Sequence, residues 1–557
     1  MYKSIYTYLI CCLVTTGVAA QVTDTIPAAP PADTTATVSK IEVDEVEVIK
    51  AFEVKLGEAK RIGLGPKPQP TKPVVNSYDY DITIVPAQIS YADPVIKPLA
   101  MSPDAKANVD HLYTKLGYGN TASPYGDLSF YKQTPEVYDV LLDVHHFSFD
   151  NTDKVLHQKM AETNINLDGS YLLGENTLLS LQSWADLESR NLYDTTDVLF
   201  VSDDAGRKLG RYGAKIGAAS AEPTATGLRY RADIGANYTD YSGVAELAPT
   251  NNELLLMGGG EVSQKINNQL TSYVKADVTL ADLTTGSDSK SLLTIDANAG
   301  LRYQVGILNV DAAADVVYSD AGTKVFADAE LAVAVDKSMQ VFVGVDQEAL
   351  QHNLSTTYDR NPFVQLDSTI LQNTVIQRYY AGIRGKVLQR LTFSLSGGYE
   401  DIADQYYYTA IADQPTLTQQ YQDATNIAID ATIEFALNQS VSIGGHVNQN
   451  FYDLAVTDEL LNVTASEFSI YSRLSLLSDK LRLMADLTVL EAVPFLTNGL
   501  ADGGDAMYDV SVEAQYFLLK NIAIWARGSN LLDNNYLMHA GYPTVGLQAH
   551  GGVMVKF

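Results

Sequence analysis

Side chains that could perform chemistry are few and scattered in this chain of 557 residues, which has 8 histidines and 2 cysteines. It contains no serine nucleophile elbow, phosphate-binding loop or zinc-protease helix motif. His145 and His146 are adjacent, so in a strand they point to opposite faces and do not suit one metal ion. Two aspartates at 203–204 and three tyrosines at 406–408 fall in expected outer loops, where binding of calcium or sugar competes with ordinary solvation. We predict no enzyme, no cofactor and no metal site.

The charge balance argues against a nucleic-acid partner. The chain carries 38 basic and 67 acidic residues, a formal charge of -29, whereas binding a phosphate backbone requires clustered Lys and Arg. Hydrophobic residues make up 46% and charged residues 19% of the chain. These are values of a folded protein, so we expect most of the sequence to fold.

The first 20 residues have the pattern of a secretory signal peptide. Lys3 precedes an apolar stretch at about residues 8–18, and small residues follow up to residue 20. The pattern predicts a signal peptide at 1–20, which would remove Cys11 and Cys12. The apolar stretch is shorter than the roughly 18 residues of a membrane anchor. A lipid-modified Cys12 is a second alternative.

Proline separates residues 21–107 from the rest of the chain. Eleven of the 19 prolines lie between Pro27 and Pro103. Such spacing removes backbone donors and favours extended, polyproline-like chain. We therefore predict that residues 21–107 form a Pro-rich periplasmic tether without a core of its own.

Residues 108–557 alternate between apolar and polar side chains. Leu293, Ala297 and Leu301 interleave with Asp296 and neighbouring polar residues, and the pattern continues for about 10 to 13 residues per segment. Short links alternate with longer loops, of which the longest are expected at 188–208, 347–373, 401–424 and 490–506. The eight remaining prolines all fall between these segments, as sheet hydrogen bonding requires.

This organisation predicts an all-β fold, a transmembrane antiparallel β-barrel of about 22 strands at 108–557 with the extended tether before it. The apolar face would contact outer-membrane lipid and the polar face would line a lumen. We expect the cell outer membrane, with the N-terminus and short turns periplasmic and the long loops extracellular. A secreted propeller or solenoid is the alternative, but no fixed sequence period supports it. Tyrosines expected near strand ends, at headgroup level, are Tyr138, Tyr303, Tyr318, Tyr471 and Tyr516.

The C-terminus resembles the signal that outer-membrane barrels present to the barrel assembly machinery. A polar residue, His550, is followed by Gly552, by the hydrophobic Val555 and by the terminal aromatic Phe557. Alternating apolar residues in this segment would form a strand edge that the machinery can capture by strand addition.

The end of the barrel segment resembles the TonB-dependent receptors. Residues 530–536 read Asn-Leu-Leu-Asp-Asn-Asn-Tyr, and 541–543 read Gly-Tyr-Pro before the last strand. Segments at 82–85, 112–119 and 123–126 are similar to the entry into the first hairpin of plugless receptor-like barrels. Members of the family carry a globular plug of well over a hundred residues. Residues 21–107 are too few for a normal plug.

An acidic, valine-rich segment resembles the TonB box, by which these receptors pair with their energising partner as an added strand. The resemblance implies TonB, or other periplasmic and envelope proteins, as partners of the tether; a solvated spacer is the alternative. The segment comprises Val43, Asp44, Glu45, Val46, Glu47 and Val48.

Taken with the fold, these features predict transport of a solute across the outer membrane. The alternative is a structural subunit whose barrel anchors an envelope assembly, and a barrel protease or lipase is a third class. A lumen of this width would leak unless something fills it. The tether, inward-folded long loops or another protein could do so.

Overall fold

The computed structural model describes residues 109–193, 206–243, 250–319, 322–388, 390–411, 414, 416–497, 500–503 and 505–557. The expected signal peptide and tether lie outside these residues. No α-helix within these ranges has the length and hydropathy that a membrane-spanning helix needs.

Twenty-two antiparallel strands form one closed sheet, a 22-stranded barrel. The last strand returns to pair with the first, so that Lys556 lies opposite Tyr113 and His550 lies opposite Gly119. Closure leaves no edge unpaired, as a sheet in hydrocarbon requires. The predicted all-β barrel of about 22 strands is confirmed.

The strands are, in chain order, β1 Val109–Gly119, β2 Ser123–Thr134, β3 Tyr138–Asp150, β4 Lys159–Leu173, β5 Thr177–Asn191, β6 Gly206–Ser220, β7 Leu228–Ser242, β8 Asn251–Lys265, β9 Leu270–Thr285, β10 Asp288–Val305, β11 Leu308–Ser319, β12 Gly322–Ala334, β13 Met339–His352, β14 Gln372–Val387, β15 Leu391–Ala410, β16 Leu417–Asn438, β17 Val441–Leu454, β18 Ser466–Leu476, β19 Leu481–Leu490, β20 Pro494–Thr497, β21 Leu500–Gly503, β22 Met507–Phe517, β23 Ile522–Ser529, β24 Leu537–His539, β25 Tyr542–Pro543 and β26 Gln548–Lys556. The pairs β20–β21 and β24–β25 are small hairpins outside the barrel sheet. One helix of the described residues, α1, spans Leu354–Arg360, and a 3-10 turn spans Ser368–Ile370.

The two faces of the barrel wall differ as the alternation predicts. On β7, Ile234 is exposed on the outside, whereas Asp233 and Asn237 face inward and are buried. On β10, Leu301 is exposed and Thr294 is buried. The wall therefore presents an apolar band to lipid and polar side chains to the lumen.

Tyrosines ring the outside of the wall. Two pairs lie directly opposite each other on neighbouring strands, Tyr212 with Tyr238 and Tyr379 with Tyr399, and all four are exposed. Such a girdle marks the membrane interface, and with the closed barrel it indicates the cell outer membrane. The expectation for Tyr471 is wrong. This residue faces inward, and its ring occupies the space above the opposite Gly444, where a Cβ would lie 2.2 Å from the Tyr471 Cζ atom.

Connectors differ between the two ends of the barrel. We call the end that carries the tight turns, among them 174–176, 306–307 and 439–440, the short-turn rim; the opposite end is the long-loop rim. The chain terminus at Phe557 lies on the short-turn rim, where its N–H donates to the Leu112 carbonyl at 2.8 Å. The longest connectors, 353–371, 491–506 and 530–547, lie on the long-loop rim.

The expectation of a long loop at 401–424 is wrong. Strands β15 and β16 continue through it as one hairpin, with Tyr406 opposite Tyr421 and Tyr408 opposite Gln419. A bulge between Ile402 and Gln405 interrupts the register without ending the ladder. Because the backbone groups remain paired, only residues 411–416 form the connector.

Candidate functional site

The connector 353–371 begins with a capped helix anchored to the barrel wall. The Asn353 side chain accepts from the Thr356 N–H at 2.9 Å, and the Thr356 hydroxyl accepts from the Asn353 N–H at 2.9 Å. This reciprocal arrangement is a capping box. The next free amide, Leu354 N–H, donates to Glu253 Oε2 of β8 at 2.8 Å. The capping box orders the start of α1, and the bond to Glu253 fixes it against the inner wall.

Apolar residues of this connector pack on inward-facing residues of the barrel. Leu354, Tyr358 and Ile370 are fully buried in one cluster with Tyr241 of β7 and Leu283 of β9. A connector in solvent would expose these side chains, so their burial requires the connector to fold into the lumen mouth. Of the three candidates for filling the lumen, inward-folded loops are therefore present.

A buried arginine ties the connector to the wall. Arg207 of β6 is 1% exposed. Its guanidinium donates to the Tyr241 hydroxyl, to the Pro362 carbonyl and, at 2.7 Å, to the Val364 carbonyl. Because a buried charge needs several partners, these three acceptors account for its position.

A second arginine of β6 holds α1. Arg211 forms a bidentate ion pair with Asp359, with 3.0 Å between Nη1 and Oδ2. Burial raises the pKa of the Asp359 carboxyl, although the adjacent guanidinium opposes that shift. Burial also raises the pKa of the neighbouring Tyr358 hydroxyl well above its usual range, and the charge of Glu188 adds to the effect.

Backbone bonds join the connector to the hairpin of β15 and β16. The Gln365 N–H donates to the Leu417 carbonyl at 2.7 Å, and the Leu417 N–H donates to the Phe363 carbonyl at 3.0 Å. Farther along, the Tyr421 hydroxyl donates to the Ile370 carbonyl at 2.8 Å. The connector is thus held on two sides of the barrel.

A second connector, 530–547, covers the first. Its hairpin β24–β25 places the Tyr542 ring on the Phe363 ring, with centroids 3.5 Å apart and planes at 12°. Tyr193 meets the Tyr542 ring edge-on at 5.1 Å. The Gln158 side chain and the Tyr193 hydroxyl both donate to the Pro543 carbonyl at 2.9 Å. We call the two connectors 353–371 and 530–547 the lid.

His539 is buried in the lid. Its ring lies 5.6 Å from the Phe363 ring, and its Nδ1 atom has no hydrogen-bond partner among the described residues. Burial, helped by the positive charge of Arg190, lowers the pKa of His539 to about 3. The His539 imidazole is therefore neutral in the lid as it stands in this structure.

Below the lid, ion pairs cover the lumen wall. Arg378 lies 2.8 Å from Glu400 and 3.4 Å from Asp346, and Arg384 lies 2.7 Å from Glu330. Asp346, Arg378 and Glu400 occupy facing positions on β13, β14 and β15, whereas Arg384 of β14 reaches past β13 to Glu330 of β12. The wall is hydrophilic and suits a hydrated solute.

The residues predicted from the sequence are placed as follows. The TonB-box-like residues 43–48 lie outside the described residues. His550, Gly552 and Val555 lie on β26, which pairs with both β1 and β23, and Phe557 follows that strand. No group of three or more His, Cys, Asp or Glu in the described part of the chain could hold a metal ion. His145 instead contacts Asp127 and lies 3.5 Å from Glu162.

Sequence reasoning missed the lid. It treated 347–373 only as a loop, although Asn353 followed by Thr356 is a helix-capping signal. The apolar residues Phe363, Val364 and Leu366 were a second available signal, because solvated loops seldom carry such a group.

Comparisons with known proteins support the fold. No family model matches the sequence, and no curated protein matches it. The ferripyoverdine receptor of the outer membrane of Pseudomonas aeruginosa aligns with a TM-score of 0.61 and 11% identity, over 80% of this chain and 72% of that one. The FrpB iron transporter from Neisseria meningitidis aligns with a TM-score of 0.61 and 8% identity, over 81% and 82% of the two chains. The ferric-catecholate import receptor Fiu from E. coli K12 gives 0.58 and 11%, over 81% and 82%.

At these identities the likeness shows the fold. All three neighbours are receptors or transporters by name, and the prediction of a non-enzyme agrees with them.

Proposed function

We propose that this chain, which has the 22-strand barrel fold of TonB-dependent receptors, transports a solute across the outer membrane through a lumen that the lid closes. The observation that carries the proposal is the stack of Phe363 on Tyr542, which joins both lid connectors over a hydrophilic wall. Receptor and transporter neighbours of the same fold support it.

The tether adds a second part to the proposal. Residues 1–20 are the signal peptide, residues 21–107 are the periplasmic tether and residues 108–557 form the barrel. The segment from Val43 to Val48 pairs as an added strand with TonB or another periplasmic protein. In this arrangement a pull on the tether supplies the energy, whereas the lid admits the solute from the opposite side.

Single-channel conductance in planar bilayers tests the function. The double variant Val364→Cys, Leu417→Cys can form a disulfide that joins the lid to β16, because these two residues form a β-bridge. The expected mature chain has no other cysteine. We expect rare openings in the oxidised variant and frequent openings after reduction. The single variant Leu417→Cys, which cannot form the bond within one chain, is the matched control.

Deletion of residues 21–107 separates the parts of the proposal. Larger conductance steps after deletion support a tether that gates the lumen. A barrel that stays silent in every variant and co-purifies with fixed envelope partners would contradict transport and support the anchoring subunit instead.

A further inference from the structure

Aliphatic side chains project from six turns of the short-turn rim. Each of them is more than half exposed, although each turn is short enough to be built from polar residues alone. These residues are Ile266, Ile307, Val335, Leu388, Leu477 and Leu519, and the last turn also carries the exposed Leu518.

Two of these residues carry a second anomaly. Leu388 has a φ of 52° and is 86% exposed, and Leu477 has a φ of 53° and is 65% exposed. Glycine or asparagine adopts this left-handed conformation with less strain than leucine does. Both turns therefore combine a strained backbone with an exposed apolar side chain. Transfer of the side chain out of water would remove the hydrophobic part of this cost.

Basic residues lie next to the aliphatic tips. Lys337 is two residues from Val335, with Asp336 between them, and Arg390 is two residues from Leu388. Lys480, preceded by Asp479, lies in the turn of Leu477, and Lys520 follows Leu519. All four are exposed. An apolar tip beside a cation matches the boundary between acyl chains and anionic headgroups.

We propose that the short-turn rim is a lipid-binding surface, whose aliphatic tips enter the facing leaflet while the adjacent Lys and Arg side chains bind anionic phospholipid headgroups. The rim is continuous with the lipid-facing wall. On β22, for example, Val512 and Tyr516 face outward, and Leu518 extends the same row into the turn. Continuity and charge complementarity both favour lipid over a protein partner as the occupant.

Tryptophan fluorescence in proteoliposomes tests the position of the tips. The native Trp184 and Trp525 face the lumen, so an added tryptophan at the rim reports separately. We expect Leu388→Trp and Leu477→Trp to lose about half of their added emission in lipids brominated along the acyl chains. The matched control is Val456→Trp on the long-loop rim, where Val456 is 73% exposed and we expect no loss. Quenching of the rim tryptophans by aqueous acrylamide, with none by brominated lipid, would overturn the proposal.

A second measurement tests the headgroups. The Leu388→Trp emission should shift to shorter wavelength when phosphatidylglycerol replaces phosphatidylcholine. Adding Arg390→Gln and Lys480→Gln should abolish this shift, whereas Lys154→Gln, on the long-loop rim, should leave it unchanged. Heat-modifiable gel migration checks that each variant folds. A shift that survives the double substitution, or one absent from the parent, overturns the role of these cations. Emission that responds only to added periplasmic protein would replace lipid by a protein partner.

Discussion

The indole N–H of Trp525 donates a hydrogen bond to the backbone carbonyl of Leu116, with a nitrogen-oxygen distance of 3.1 Å. This bond crosses the inner face of the barrel where β1 pairs with the last strand, β26. The same ring covers Gly117, where a Cβ would lie 2.3 Å from the Trp525 Cζ2 atom. Opposite Gly117 is Gly552, whose Cβ would lie 1.8 Å from the Leu116 oxygen. The first and last strands thus approach at two glycines, and a tryptophan from β23 fills the space they leave.

Gly552→Ala should prevent normal closure of the barrel, because the clash is with backbone that no side-chain rotation relieves. We expect little folded protein, measured as the heat-modifiable band on gels. Gly551→Ala is the matched control, because its Cβ would meet only the Trp525 carbonyl at 3.5 Å, an ordinary contact. Equal yields from the two variants would show that the glycine pair is not needed for closure.

Phe557→Ala should slow assembly without changing the stability of the barrel once it is formed. The Phe557 side chain is exposed and its backbone already bonds to Leu112, so truncation removes little packing. If the assembly machinery reads the proposed signal of His550, Gly552, Val555 and Phe557, this variant accumulates unassembled in cells but melts like the parent after purification. A lower melting temperature with normal assembly kinetics would indicate a structural role instead.

Replacing Trp525 separates its hydrogen bond from its packing. Trp525→Phe keeps an aromatic ring over the glycines and loses one hydrogen bond, a cost of about 1 kcal/mol. Trp525→Ala also empties the site, and we expect a loss of about 3 to 5 kcal/mol. The temperature at which the heat-modifiable band disappears should fall in that order. A fall of the same size in both would assign the whole effect to the hydrogen bond.

The sequence was sufficient for the barrel because strand information is local. Alternation at 293–305 determines which side chains of β10 face lipid. The length of the barrel segment, divided by the length of one strand with its connector, predicts the number of strands. Tyr471 was predicted to lie at the headgroups, because alternation does not say which face meets lipid near a glycine. The tyrosines at 406–408 were predicted to lie in a loop, because alternation does not show where a hairpin ends beyond the membrane.

The lid could not be derived in the same way. Arg207 and its acceptor Pro362 are separated by 155 residues, and no local pattern relates them. Phe363 and Tyr542 are likewise on different connectors, so only the closed barrel brings their rings together. The capping pair Asn353 and Thr356 would have predicted α1, but not the wall against which it packs.

Arg207→Gln should raise the open probability of the lid in planar bilayers. The variant leaves the Pro362 and Val364 carbonyls without their charged donor, and such bonds contribute about 1.5 to 3 kcal/mol. If these hydrogen bonds exist only in the closed state, their loss in Arg207→Gln raises the ratio of open to closed lid by about 10- to 100-fold. Lys208→Gln, at the next residue but exposed on the outer face, is the control. Equal open probabilities in the two variants would contradict the anchoring role of Arg207.

Acid should open the lid through His539. In the closed lid the pKa of this histidine is about 3, whereas a solvated histidine titrates near about 6.5. Because the folded pKa is the lower one, the closed lid keeps its full stability above about 6.5 and loses it as the pH falls toward 3. The open probability should rise by up to about tenfold per pH unit across that window. His539→Gln has no proton to gain, so its conductance should depend less steeply on pH. An unchanged slope in His539→Gln would assign acid sensitivity to other groups, and increased closure on acidification would contradict the sign of the argument.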